Sequence, residues 1–151
     1  MSVAIDTSEI DRLAKELRGA ERIIDEELLR GMQRVALQVE ASAKSLAPVQ
    51  TGNLRRSITK NVTAHGQTIT ARIGTNVPYA RYVEEGRGPI EAGPGKVLRF
   101  EIGGQVFYRK RVGPARARPY MKPALIANRA KIVREFQTVV PRRIVQRVGL
   151  S

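Results

Sequence analysis

His65 is the only histidine of the chain, so any nucleophile–imidazole–carboxylate relay would have to be built around it. It falls in His65-Gly66-Gln67, between two alternating apolar runs. That place reads as an exposed hairpin turn with nothing to hold an imidazole in one orientation. A metal centre gathers several His, Cys, Asp or Glu ligands. Here there is no cysteine, and only five acidic residues follow residue 50. The missing thiols also exclude disulfides and fit a chain made in a reducing cytoplasm. Glu84 and Glu85 are adjacent, whereas a glycosidase pair must face across a cleft at about 5–10 Å. Neighbours on a short helix point in different directions. The expectation is that one pairs with Arg81 or Arg87 and the other meets a partner subunit. The Gly-rich run Gly86 to Lys96 lacks the Gly-Lys-Ser/Thr ending and the strand-to-helix setting of a phosphate loop. These residues predict no catalytic group, no metal and no cofactor: a chain that is not an enzyme.

The remaining chemistry is charge. The net charge is +13, unevenly spread: residues 1–50 carry 7 Lys/Arg against 9 Asp/Glu, and residues 51–151 carry 20 against 5. Such asymmetry points to a basic face or arm that meets nucleic acid or an acidic protein. The densest clusters are Arg109-Lys110-Arg111 and Arg116-Ala117-Arg118, with Phe100, Phe107, Tyr108 and Tyr120 interleaved. Basic residues beside aromatics suit single strands, but strand alternation puts Phe100 and Phe107 on a buried side. No sequence-reading motif is present, which leaves salt-sensitive attraction to phosphates.

The elements that must position these residues follow from periodicity. A length of 151 residues and a 42% hydrophobic share suit a single domain over 1–151, with a core over about 8–140 and a basic tail over 141–151. The first residues lack the basic start and apolar centre of a signal peptide, and no apolar run approaches the roughly 20 residues of a membrane helix. Residues 8–46 read as helix, opened by a Ser8/Asp11 capping signal. Ile10, Leu13, Ala14 and Leu17 form one stripe, Gly19 breaks or bends the helix, and Ile24, Leu28, Val35, Val39, Ala43 and Leu46 form a second stripe. Pro48 ends it. Thr51 is the expected N-cap of a short turn or helical cap over 51–58, with Gly52 at positive φ. A hairpin follows over 58–64 and 68–73. Pro78 opens a short helix from Tyr79 to Glu85, which Gly86 closes. Residues 86–96 read as a mobile loop, 97–102 and 105–111 as a second hairpin turned by Gly103-Gly104, and 112–118 as a basic loop. A last helix runs from about Pro119 to Val140, with Leu125, Ile132, Phe136 and Val139 on one face, until Pro141 interrupts it. The fold class is α+β: a long N-terminal and a C-terminal helix on one face of an antiparallel sheet made from two hairpins, with the region 86–111 protruding.

Three segments carry a resemblance. They are Ala47-Pro48-Val49-Gln50-Thr51-Gly52-Asn53-Leu54-Arg55-Arg56-Ser57-Ile58 after the long helix, Pro78-Tyr79-Ala80-Arg81-Tyr82-Val83-Glu84-Glu85-Gly86, and Ala117-Arg118-Pro119-Tyr120-Met121-Lys122-Pro123-Ala124-Leu125. In this order and spacing the chain resembles the neck, or tail-component, family of long-tailed double-stranded DNA bacteriophages, over roughly residues 8–140. Within these segments Thr51, Gly52, Leu54, Ile58, Tyr79, Gly86, Pro119 and Pro123 read as structural positions. Residues 87–111 look longer and more basic than the family pattern requires.

The resemblance implies a non-enzymatic virion protein assembled in the host bacterial cytoplasm. It implies a ring, a hexamer ahead of a dodecamer, that joins the connector to the tail tube around the DNA channel. Partners would be connector or stopper proteins and tail terminator or tail-tube proteins, with non-specific contact to double-stranded DNA and no membrane. The expected subunit contacts are Glu84, Glu85, Arg87, Lys96 and Arg99. Contacts to DNA or an acidic ring are expected from Arg109, Lys110, Arg111, Arg116 and Arg118. The alternative is a small basic domain that binds nucleic acid without sequence preference.

Overall fold

A computed structural model describes residues 8–149, including all of their side chains except those of residues 8–11, 13 and 14. The elements in order are α1 (Ser8–Leu46), α2 (Asn53–Ser57), β1 (Thr59–His65), β2 (Thr68–Gly74), α3 (Ala80–Glu85), β3 (Ile90–Glu91), β4 (Leu98–Ile102), β5 (Gln105–Arg109), β6 (Arg111–Val112) and α4 (Met121–Arg134). A π-helical turn over Glu135–Val139 then leads into α5 (Val140–Val148). The class is α+β. The hairpins do not merge into one sheet: β1–β2, β3–β6 and β4–β5 are three separate two-stranded sheets. No helix among the described residues is long and apolar enough to cross a membrane.

The chain divides into two compact units. Unit 1 comprises residues up to Ala41, Lys60–Ile73 and Ile126 onward. Its helical contact combines valines with a glycine and a buried carboxylate. Glu27, Gly31, Val35 and Val39 recur every four residues on one buried stripe of α1, with Ala36 beside it. Of the predicted stripe, Val35, Val39 and Ala43 are buried, whereas Ile24 is exposed. The α1 helix also runs through Gly19 without a break. The expected capping signal at Ser8/Asp11 and the apolar positions Ile10, Leu13 and Ala14 lie outside the described side chains, and Leu17 is exposed. Gly31 lets the C-terminal helix come close: a Cβ there would meet Val140 Cγ2 at 2.6 Å. Arg34 Nε donates to Glu135 at 2.8 Å.

Pro141 does not end the C-terminal helix. Proline removes one N–H and crowds the preceding turn. The chain responds by widening that turn into the π-helical segment, where the Val140 N–H donates to the Glu135 carbonyl, and the helix then resumes. Leu125, expected on the buried face, is exposed, and Ala124 and Asn128 are buried in that direction instead.

Unit 2 comprises Ser42–Thr59 and Gly74–Leu125. Its buried apolar side chains come from the end of α1 (Ala43, with Ala47 just beyond), α2 (Leu54), Ile58, α3 (Ala80) and the start of α4 (Tyr120, Ala124). Leu46, placed by periodicity on the stripe, points outward. The Gly/Pro segment is not an unstructured loop. It pairs antiparallel with the basic segment over 110–115: Arg87 exchanges backbone hydrogen bonds with Ala115 at 2.9 and 3.0 Å. Ile90 and Glu91 oppose Val112 and Arg111, and the Ala92 N–H donates to the Lys110 carbonyl at 2.8 Å. Beyond this ladder the β4–β5 hairpin turns through Gly103 and Gly104, both at positive φ as a tight two-residue turn demands. Phe100 and Phe107 are cross-strand partners stacked with centroids 5.9 Å apart, but they are half-buried rather than core. Ile102, Val106 and Tyr108 are exposed, so the hairpin is an arm.

Candidate functional site

The three signature segments converge in unit 2. After α1 ends, Gly52 takes φ 76° and caps α2 through its backbone; this is the left-handed conformation expected of it. Thr51 is not the N-cap. Its Oγ1 accepts a long 3.4 Å bond from the Asn53 N–H, and the turn is held by the Gly52 carbonyl accepting from the Arg56 N–H at 3.0 Å. Leu54 and Ile58 plug the core on either side of this turn, and the Ser57 hydroxyl reaches Thr75 Oγ1 at 2.6 Å.

The second and third segments are clamped together. Glu84 on α3 aims its carboxylate at the first turn of α4 and accepts the backbone N–H groups of Tyr120, Met121 and Lys122 at 2.8, 3.0 and 2.9 Å. The residues before α4, Pro119 and Tyr120, offer no capping side chain, so a carboxylate from elsewhere satisfies these otherwise orphaned donors. It also faces the positive end of the helix dipole. Burial alone would raise the Glu84 pKa. The hydrogen bonds from Tyr120, Lys122 and Met121, with the Lys122 charge, outweigh it and hold the group below the ordinary carboxylate range. Burial and the same carboxylate push the Tyr120 hydroxyl up. The Val83 carbonyl accepts the Arg118 N–H at 2.7 Å. Gly86, at φ 75°, lies so close to Ala115 and Ala117 that a Cβ would come within 2.9 Å of their backbone.

Beside this clamp lies a cleft of about 560 Å³. Pro48 to Gly52 and Leu54 form one side, Tyr79, Tyr82 and Val83 another, and Arg87, Arg116 and Arg118 a cationic third. Val49 and Tyr82 are more than half exposed. Of the residues expected at contacts, Arg87, Arg116 and Arg118 therefore share one cleft. Glu84 is committed to capping α4, and Glu85 pairs with Arg81 at 2.8 Å. Lys96, Arg99, Arg109, Lys110 and Arg111 belong to the arm and its base; all are exposed, and Arg111 pairs with Glu91 at 3.3 Å. Tyr79 lies at the mouth of α3, while Pro119 and Pro123 flank the α4 start. His65 ends β1 and is exposed. Among the described residues no cluster of His, Cys, Asp or Glu could hold a metal ion.

The sequence model of one known family, the HK97-gp10-like tail components of bacteriophages, matches residues 11–86. The chain belongs to this family. No curated protein and no solved structure matches it. In this HK97-gp10-like chain, Gly52, Glu84 and Gly86 lie inside the matched span, whereas the groups that Glu84 and Gly86 engage, residues 115–122, lie beyond it.

Sequence reasoning missed Glu27 of unit 1. Its side chain is 2% exposed and accepts from Arg30 and Arg147, each at 3.0 Å. Burial would raise its pKa, but the hydrogen bonds from Arg147 and Arg30 hold it below the usual range. The only signal was its place four residues before Gly31 on the buried stripe.

Proposed function

We propose that this phage tail component is a structural ring subunit of the head–tail junction, with no catalytic role, that joins connector to tail tube around the DNA channel of the virion. The observation that carries the reading is the family match over residues 11–86. The form of unit 2 supports it. A closed ring needs two different patches per subunit, one meeting the other on a neighbour, and this unit has both a projecting arm and a cleft. A hexamer is favoured over a dodecamer. Connector or stopper proteins would lie on one side, and tail terminator or tail-tube proteins on the other. Lys96, Arg99, Arg109 and Lys110 on the arm would face channel DNA or an acidic protein ring.

The test is the mass of the purified chain in solution, alone and mixed with its neighbouring tail and connector proteins, followed by negative-stain imaging. Rings are expected, and a phage lacking the gene should accumulate unjoined heads and tails. A strictly monomeric chain in every mixture, dispensable for joining, would refute the reading. If that monomer also bound duplex DNA tightly at physiological salt, the arm would make it a non-specific nucleic-acid-binding domain instead.

A further inference from the structure

We propose that the unit 2 cleft receives the acidic N-terminal segment, residues 1–11, of a second copy of this chain. The proposal rests on the ring reading and names the contact that would close the ring. The cleft combines exposed apolar and aromatic surface, Val49, Tyr79 and Tyr82, with three arginines, Arg87, Arg116 and Arg118, and no carboxylate lines it. The nearest acids are engaged elsewhere: Glu84 on the α4 amides and Glu85 on Arg81. None of the three arginines has an ion-pair partner among the described residues; Arg87 bonds only the Gly88 carbonyl through its side chain, at 3.2 Å. Guanidinium groups left in this state beside aromatic faces suit a chain that carries both carboxylates and small apolar side chains.

The sequence contains one such segment. Residues 1–11 form the longest stretch that holds acidic residues and no Lys or Arg: Asp6, Glu9 and Asp11 alternate with Val3, Ala4, Ile5 and Ile10. Most other acids of the chain already have arginine partners, as Glu16, Glu26, Glu27, Glu91 and Glu135 do.

Reach decides whose segment it is. The 39-residue helix α1 starts at Ser8 and ends two residues before Pro48, the first residue of the cleft. At 1.5 Å per residue α1 is about 57 Å long. Seven extended residues preceding Ser8 span at most about 24 Å. The reach of those residues is less than half the length of α1, so the cleft is assigned a neighbour's segment rather than the chain's own. A contact between two different patches is head-to-tail, the kind that closes rings.

The experiment is a charge swap read by sedimentation at moderate salt. Arg116→Glu with Arg118→Glu, and separately Asp6→Lys with Glu9→Lys and Asp11→Lys, should each weaken self-association at least tenfold in a chain that circular dichroism shows to be folded. Both sets in one chain should restore it. Full assembly by either set alone, or failure of the combined chain to recover, would overturn the proposal while leaving the ring reading intact. If the wild-type chain does not self-associate either alone or mixed with its neighbouring tail and connector proteins, the ring reading falls. Anisotropy of a labelled peptide of residues 1–11 then tests the cleft by itself. Saturable binding lost in the Arg116/Arg118 variant supports the cleft, and no binding overturns it.

Discussion

Replacing Glu84 removes the carboxylate that caps the first turn of α4. Three backbone donors lose their acceptor: those of Tyr120 and Met121 in a part-buried setting and that of Lys122 at the surface. Water can satisfy the exposed one at little cost. Each part-buried N–H left unpaired costs about 1–1.5 kcal/mol, so Glu84→Ala should lose about 2–3 kcal/mol. Glu84→Gln keeps an acceptor oxygen but loses the charge facing the helix dipole, and should lose about 1 kcal/mol. Urea denaturation followed by circular dichroism measures both. The pH dependence adds a signature. The folded-state pKa lies below its unfolded value. The charge therefore stabilises the fold fully above the unfolded value of about 4.3, and the benefit is lost as pH falls through the folded value. The gap between wild type and Glu84→Gln should be constant near neutrality and close in acid. If Glu84→Ala stays within about 0.5 kcal/mol of wild type, the range of an ordinary surface substitution, the capping account is wrong. If it then also abolishes assembly, Glu84 is a partner contact instead.

Three further outcomes follow from close contacts and exposure. Gly31→Ala should destabilise by about 1–2 kcal/mol, because overpacking against Val140 costs more than the helix propensity gained, and Val140→Ala in the same chain should recover most of the loss, read from melting temperatures. Gly86→Ala should be worse than Gly52→Ala: both require positive φ, costing about 1–2 kcal/mol, but only Gly86 would also drive a Cβ into backbone at 2.9 Å, so equal urea midpoints would contradict the close approach. Neutralising Arg109, Lys110 and Arg111 together should leave the melt within a degree or two, since exposed charges contribute little, while weakening ring stacking or DNA retention in a salt-dependent assembly assay.

What was legible in the sequence was local. The C-terminal limit of α1, the Gly103-Gly104 turn and the positive φ of Gly52 each follow from residues within a few positions of the feature they set. The failures have a common cause. The buried stripe of α1 is legible at Val35, Val39 and Ala43 but not toward the N-terminus, because apolar periodicity assumes that buried positions are large and oily, and two of them are Glu27 and Gly31. Pro141 was read as a stop because proline acts on its own turn, yet the turn before it could widen. The Gly/Pro run looked structureless because its partner strand lies some twenty residues away. Glu84 looked like a surface charge because a cap supplied from another helix leaves no pattern in the helix it caps, other than the absence of a local one before Met121.

The matched family span ends at Gly86, but the clamp carries the fold past it. Gly86 sits against Ala115 and Ala117, Val83 holds Arg118, and Glu84 holds the α4 start. Each of these contacts joins a residue inside the span to one outside it, so the matched segment is structurally incomplete without residues 115–122. Everything between them leaves and returns through the short ladder from Arg87–Ala115 to Ala92–Lys110. A chain that closes on itself at the base of a loop can lengthen that loop at small entropic cost, because loop closure grows only with the logarithm of length. The basic arm is therefore the part of this fold whose length can change at least cost, while the signature residues hold the frame at its base.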